Sequence, residues 1–406
     1  MESGVALILD RQRLDGLEGE PRQNPDFLYL TGVDAPNAAA IFSTTKPHFT
    51  LFMESPGPER EQWTGPMLKL AEAKRQFRAD AVYPIEELEK RCVESFGKHD
   101  RVFYTLGSSD RGDALVKKTL AKLKHSVRDG VRAPAAIHDL SRVTAEMRLY
   151  KTQDEIECIR KAVSITAAAL RNTADSIRPG RYEYEAVADI EATFRRAGVV
   201  RSAYQSIVCS GPKTCILHCP TYDRKLEKGD LLLLDVGAEW DGYAADITRT
   251  VPVSGTFSRP QRLIYDIVLA AQKMVIGKIK PGVPFDELER TARGVLIDGL
   301  LRGHVLMDTP RNDDEKIQRS HAYFPHKIGH WLGMDVHDVG SYHNANGKGW
   351  RILEPGMVLT VEPGLYFPKG TKGVRKEFWD IGVRIEDDVL VTKTGHEVLS
   401  RRIPKQ

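Results

Sequence analysis

Cysteine is scarce in this sequence, and the five present (Cys92, Cys158, Cys209, Cys215 and Cys219) are odd in number and form no CxxC pair. That argues against a disulfide framework and against a structural zinc site built on thiolates. Cys215 and Cys219 bracket His218, yet buried, unreactive thiols are the plainer reading. Long apolar runs are missing too. The opening segment Met1 to Asp10 has no positively charged stretch, and its apolar part is too short for a signal peptide or a membrane span. A cytoplasmic protein with no membrane partner is therefore expected. Nor is there a basic run or an acidic tail, and the formal net charge is only +3. Nothing in that balance asks for nucleic acid or an anionic surface. No Pro/Gly/Ser-dominated tract is found, which sets aside disordered and fibrous classes.

What is present is ordinary globular material, with 41% apolar and 28% charged residues over 406 positions. Because single cores stop growing at roughly 250–300 residues, two domains are expected. Up to about residue 140, short β-rich runs (Val5 to Leu9, Ala39 to Phe42, Phe49 to Phe52, Arg101 to Tyr104) mix with helical runs around Gly65 to Arg78 and Asp113 to Lys124. This reads as a small α/β domain, with Arg132 to Asp139 as connector. A long helix follows, opened by the capping-box pair Thr152 and Glu155, with Ile156, Ile159, Val163, Thr166 and Leu170 on its inner face. It ends at Ile177-Arg-Pro-Gly180, and a second helix runs from Glu183 to Ala197 before β-like sequence. The arrangement recurs: a helix from about Arg259 ends at Ile279-Lys-Pro-Gly282, another spans Phe285 to Leu301, and strands follow. Two similar halves suggest a duplicated α/β domain with a site at the seam.

Acids stand where apolar residues belong. Asp235 lies in the run Leu231 to Gly237, and Asp246 in the returning strand after the turn Glu239-Trp-Asp-Gly242; symmetric pairing about that turn sets Asp235 opposite Asp246. Opposed carboxylates repel and need a cation, although two solvated aspartates are the bland alternative. Glu362 and Glu386 sit in two later strand-like runs. Alternation puts Arg384 and Glu386 on one face, with Val383 and Ile385 on the other. Five of the twelve histidines (His321, His326, His330, His337 and His343) crowd into 23 residues. Lys327 after His326, with Gly329 and Gly333 nearby, rules out a zincin helix. Two Asp, two Glu and a His form an oxygen-rich set that balances two divalent ions and suits Mn²⁺, Co²⁺ or Zn²⁺.

The motifs Asp235-x-Gly237, Asp246-Ile-Thr-Arg-Thr250, His326-x-x-x-His-Trp-Leu-Gly-x-Asp-Val-His337, Val361-Glu-Pro-Gly-Leu-Tyr366 and Arg384-Ile-Glu-Asp387 resemble the aminopeptidase P and prolidase family. Arg22-Gln-Asn-Pro-Asp-Phe-Leu-Tyr-Leu-Thr-Gly32 resembles the matching segment of bacterial aminopeptidases P, so the likeness runs nearly the whole chain. It implies an α/β chain with a creatinase-like N-terminal domain over residues 1–142 and a pita-bread catalytic domain, an internally duplicated α/β fold, over residues 143–406. It further implies Asp235, Asp246, His330, Glu362 and Glu386 as metal ligands, with Asp246 and Glu386 bridging two divalent ions, Mn²⁺ first and Co²⁺ or Zn²⁺ as alternatives. His337, Glu362 and His326 would be catalytic, and His218, His326, His337 and Arg384 would line the substrate site. The implied reaction is hydrolysis of the Xaa-Pro bond at the N-terminus of proline-containing peptides, by a homo-oligomer, dimer or tetramer. The alternatives are a dipeptide-restricted prolidase and a metal-free protein of the same fold. Lys327 and Cys219-Pro220 depart from the family pattern and bear on pocket shape.

Overall fold

The computed structural model describes residues 3–10, 22–55, 57, 61–62, 65–66, 68–344 and 347–405. The chain divides into two compact units, Met1–Ala145 and Glu146–Gln406.

In the first unit the described strands β1 (Val5–Leu9), β2 (Ala39–Ser43), β3 (Phe49–Met53), β4 (Ala81–Pro84), β5 (Arg101–Phe103) and β6 (Ala136–His138) form one mixed sheet in the order β4-β3-β2-β1-β5-β6. Every residue of β1 is buried. Its alternate side chains feed two cores: Val5, Leu7 and Leu9 pack with Phe96 and Leu123, whereas Ala6 and Ile8 pack with Phe27 and Ala73. The expected connector Arg132 to Asp139 instead contains β6, which pairs in parallel with β5, and a helix Ser141–Leu149 follows it. A three-residue edge strand beside Pro134 carries too short a pattern to be read from sequence.

The second unit repeats one device. The helix Gln153–Ser176 begins at Thr152, whose hydroxyl accepts from Glu155 N while the Glu155 carboxylate accepts from Thr152 N. Its expected inner face is buried throughout. This helix and Arg259–Lys278 end alike: Ile177 and Ile279 turn the chain out, and Gly180 and Gly282 take φ of 98° and 92°. Their amides then donate to the carbonyls of Leu226 (2.8 Å) and Leu353 (2.9 Å). Each leucine starts a Leu-Glu-x-Gly turn in which Gly229 or Gly356, at φ 93° and 92°, launches a strand.

In the first half β7 (Ile207–Ser210), β8 (Leu231–Val236), the short pair β9 (Glu239–Trp240) and β10 (Tyr243–Ala244), and β11 (Ile247–Pro252) give a sheet β11-β8-β7. In the second, β12 (Val358–Val361), β13 (Gly364–Phe367), β14 (Ile381–Arg384), β15 (Asp387–Val391) and β16 (His396–Val398) form β12-β15-β16 and β13-β14. The common spacing carries Asp235 and Glu362 to matching places, nine residues past Leu226 and Leu353. Val383 and Ile385 face the core under the helices Arg259–Lys278 and Phe285–Arg302.

Asp235 does not face Asp246. The hairpin loop is Asp241-Gly242, both at positive φ, so the turn is centred one residue later than the symmetric reading assumed. Asp235 therefore pairs with Thr248, and the two aspartates become diagonal neighbours on one face. Asp246, Glu362 and Glu386 also sit at breaks in the ladders rather than within them. Among the described residues no helix is long and apolar enough to cross a membrane.

Candidate active site

Asp246, His330 and Glu386 each offer a ligand atom within 4.8 Å of the others. Asp235 and Glu362 complete the group. Tyr204 Oη lies 2.5 Å from Asp235 Oδ1 and 2.5 Å from Asp246 Oδ1. His330 Nε2 is 3.3 Å from Asp246 Oδ2 and 3.7 Å from Glu362 Oε1. Thr248, the cross-strand partner of Asp235, donates its hydroxyl to Glu386 Oε2 at 2.6 Å. Backbone bonds set the approach: Thr360 N donates to His330 O, Glu362 N to Ile328 O and Glu386 N to Thr248 O.

His330 Nδ1 lies 3.0 Å from the Trp331 carbonyl. A carbonyl can only accept, so Nδ1 carries a proton and Nε2 is the nitrogen turned toward the acids. That is the orientation a metal-ligating imidazole takes.

The electrostatics ask for a cation. Burial pushes Glu362 up to about 8, with Asp246 adding to the rise and His330 opposing it. Burial, then the charges of Asp246, Glu362 and Asp235, holds Glu386 well above the carboxylate range. Asp235 is raised by burial despite Arg384 beside it. His330 runs the other way: burial lowers it, but its bond to Asp246 and the charges of Asp246 and Glu362 lift it to about 9. Without further positive charge these acids hold protons. A divalent cation removes that conflict, and two Asp, two Glu and an imidazole suit Mn²⁺, Co²⁺ or Zn²⁺.

A family model for metallopeptidase family M24 matches residues 157–393, and one for the aminopeptidase P N-terminal domain matches residues 18–104. The chain belongs to metallopeptidase family M24. It is 38% identical over 390 residues to the Xaa-Pro aminopeptidase of Escherichia coli, covering 95% of this chain and 87% of that protein. It is 38% identical over 417 residues to the Xaa-Pro aminopeptidase of Haemophilus influenzae, covering 100% and 92%. The solved Pseudomonas aeruginosa aminopeptidase PepP superposes with a TM-score of 0.94 at 37% identity, covering 99% of this chain and 92% of that one. A zinc-substituted E. coli aminopeptidase P in complex with product gives 0.92 at 36% identity, with the same coverage. The fold is therefore that of aminopeptidase P, a mixed α/β chain in which the M24 catalytic domain follows the N-terminal one.

Around these acids and His330 stand the other expected residues. Arg384 is buried, and each guanidinium nitrogen is engaged: Nη2 with Asp235 Oδ2 (2.6 Å), Nη1 with Tyr366 Oη (2.9 Å) and Nε with Thr248 Oγ1 (3.3 Å). His326 Nδ1 faces its neighbour's carbonyl at 2.9 Å, so its Nε2 accepts from Tyr366 Oη at 2.8 Å. His326 Nδ1 also lies 3.5 Å from Glu362. Burial, then the charge of Arg384, holds His326 down to about 3, so it stays neutral. His337 is exposed, and its ring stands edge-on to His330 with centroids 4.2 Å apart. His218 is exposed too, close enough that its charge would depress both His326 and His337.

Several contributors stand outside the sequence motifs. Tyr204 lies in an irregular segment before β7. Gln272, fully buried on the helix Arg259–Lys278, donates to the carbonyls of Val361 (3.3 Å) and Ile385 (3.1 Å) and so ties together the residues preceding Glu362 and Glu386. A polar residue on an otherwise apolar helix face could have marked it. Cys209, Cys215 and Cys219 are free thiols, with Cys209 and Cys215 raised by burial.

Proposed function

We propose that this chain is an Xaa-Pro aminopeptidase using two divalent ions, Mn²⁺ before Co²⁺ or Zn²⁺. Asp235, Asp246, His330, Glu362 and Glu386 would hold the ions, with Asp246 and Glu386 between them. Bound there, the ions would supply Lewis acidity to a peptide carbonyl and lower the pKa of a water. What carries the reading is the convergence of Asp246, His330 and Glu386 within 4.8 Å among buried acids held at raised pKa.

The chain's own groups then have definable work. Glu362, whose carboxylate lies 3.5 Å from His326 Nδ1, is placed to take a proton from the attacking water and pass it to the departing proline nitrogen. His337, exposed next to His330, is placed to donate to the oxyanion. His326, His218 and Arg384 would shape the pocket. A tertiary amide has no N–H, so a pocket fitted to the ring and offering no acceptor there favours proline.

The bacterial relatives named Xaa-Pro aminopeptidase support the substrate. Arg384 bears on the rival reading, a prolidase restricted to dipeptides. A guanidinium whose three nitrogens already serve Asp235, Tyr366 and Thr248 is a poor receptor for a dipeptide carboxylate, which favours the aminopeptidase. The same reading includes a cytoplasmic location and a dimeric or tetrameric assembly, open to fractionation and light scattering.

The test compares Xaa-Pro-Yaa with Xaa-Ala-Yaa before chelation, after it, and after Mn²⁺ is restored. Cleavage of the prolyl peptide alone, lost and regained with the ion, is expected. Equal cleavage of the alanyl peptide, or indifference to chelation, would overturn the reading.

A further inference from the structure

His337 has no hydrogen-bond partner for its ring among the described residues. Its imidazole is therefore placed by the loop that carries it and by its edge-on packing against His330. That backbone belongs to a loop closed by two bonds: Asp338 N donates to Trp331 O (2.9 Å), and Gly333 N donates to Asp335 O (3.1 Å). This closure is why residues seven apart, His330 and His337, come ring to ring.

The loop is wrapped around the carboxylate of Asp338, whose side chain is wholly buried. Oδ1 accepts from Arg148 Nη2 at 2.5 Å and from Asp335 N at 3.3 Å, and Oδ2 accepts from Lys151 Nζ at 3.0 Å. Arg148 Nη2 also reaches Asp335 at 2.7 Å, gripping the loop at a second point. Both cations are buried, with side chains 3% and 1% exposed. The fit is close: a Cβ on Gly333 would lie 2.1 Å from Asp338 Oδ2 and 2.9 Å from Lys151 Cε. Lys151 is itself fixed, its amide donating to Gly356 O at 2.8 Å in the turn that launches β12. Burying two cations and an acid in this way is costly unless their geometry is satisfied, and the geometry here is spent on the residue adjacent to His337.

We propose that Asp338, held by Arg148 and Lys151, is the positioning residue for His337. The proposal rests on the reading of His337 as the oxyanion donor. A charged clamp one peptide bond away fixes the backbone that carries His337, and so the reach of its imidazole beside His330, in a way that an unanchored surface loop could not; small misplacements of such a group cost rate rather than binding.

The experiment is a double-mutant cycle in kcat and KM on Xaa-Pro-Yaa at saturating Mn²⁺, using the full chain, Asp338→Asn, His337→Ala and the double variant, with metal content measured for each. Asp338→Asn is expected to lower kcat about 10–100-fold with KM and metal content unchanged, and to cost less than about two-fold once His337 is Ala. An equal loss in both backgrounds, or loss of metal in Asp338→Asn, would overturn the positioning role. If His337→Ala alone leaves kcat unchanged, it is the oxyanion reading that has failed, a result distinguishable from additivity. Should Asp338→Asn not fold, Lys151→Met keeps the Arg148 half of the clamp and enters the same cycle under the same criteria.

Discussion

Tyr204 joins Asp235 to Asp246: its hydroxyl lies 2.5 Å from a carboxylate oxygen of each. A phenol has one proton to give, so the second contact needs a proton on a carboxyl, in keeping with the raised pKa of buried Asp235. When cations load, that proton leaves and Tyr204 keeps one donated bond. Tyr204→Phe retains the ring and removes the bond. Its affinity for Mn²⁺ should fall by about 10–100-fold, the usual cost of losing an outer partner of a ligand, read by competition against a chelator. Wild-type affinity would show that the hydroxyl does not orient the aspartates.

Gln272 makes a structural prediction of a different kind. Its amide serves the carbonyls of Val361 and Ile385, and Gln272→Leu leaves both buried and unpaired. The variant should be destabilised by roughly 2 kcal/mol in urea unfolding at fixed Mn²⁺, with a part returned because the Gln272 Oε1 has no partner among the described residues. Since those carbonyls precede Glu362 and Glu386, Mn²⁺ affinity should fall as well. Full stability with wild-type affinity would make Gln272 incidental.

These two residues mark where sequence reading stops. The duplicated frame was legible because it rests on local chemistry: the Thr152 cap, the helix exits at Ile177 and Ile279, and Gly180 and Gly282 in left-handed conformations. The shared Leu-Glu-x-Gly turns at Leu226 and Leu353 carry the same signal. The acids were visible because charge in an apolar strand is anomalous. Their mutual register was not, since it hangs on whether the hairpin turns at Trp240-Asp241 or at Asp241-Gly242, and the Asp-Gly pair should have decided it. Tyr204 meets Asp235 only through tertiary folding, and no spacing in the chain encodes that.

Proton traffic gives a third prediction. The ordinary value of 4.5 for Glu362 is raised to about 8, and the ordinary 6.5 of His330 to about 9. A group whose folded pKa is raised stabilises the fold fully below its ordinary pKa and loses that contribution as pH climbs through the folded one. Both groups act with this sign, so the metal-free protein should melt at a lower temperature at pH 9 than at pH 6. Mn²⁺ should narrow the difference, because it replaces the departing protons. Calorimetry at pH 7 in buffers of different ionisation enthalpy should find at least about two protons released on loading, from Glu362 and His330 together with any held by Glu386 and Asp235. A flat metal-free profile, or no proton release, would contradict the arrangement of these two residues.

The last prediction concerns how long a peptide the site accepts, and it turns on Arg384. If its guanidinium is held in place by Asp235, Tyr366 and Thr248, which take one N–H from each of its nitrogens, and the remaining two N–H groups do not reach the substrate, a free carboxylate there gains nothing from it. Then Xaa-Pro-Yaa should be cleaved at least as well as Xaa-Pro, and converting Xaa-Pro to its amide should change kcat/KM by less than about three-fold. If instead the Arg384 guanidinium leaves one of these partners to capture the carboxylate, the amide forfeits a buried charge pair and kcat/KM should drop by roughly 2–5 kcal/mol worth of rate. The three substrates are to be compared at one Mn²⁺ concentration. Lysine at position 384 sharpens the test, because Arg384→Lys keeps the charge but cannot span three partners. It should weaken Mn²⁺ binding and all three substrates together if Arg384 positions Asp235. Cleavage of the free dipeptide alone, lost selectively in Arg384→Lys, would make the chain a dipeptidase.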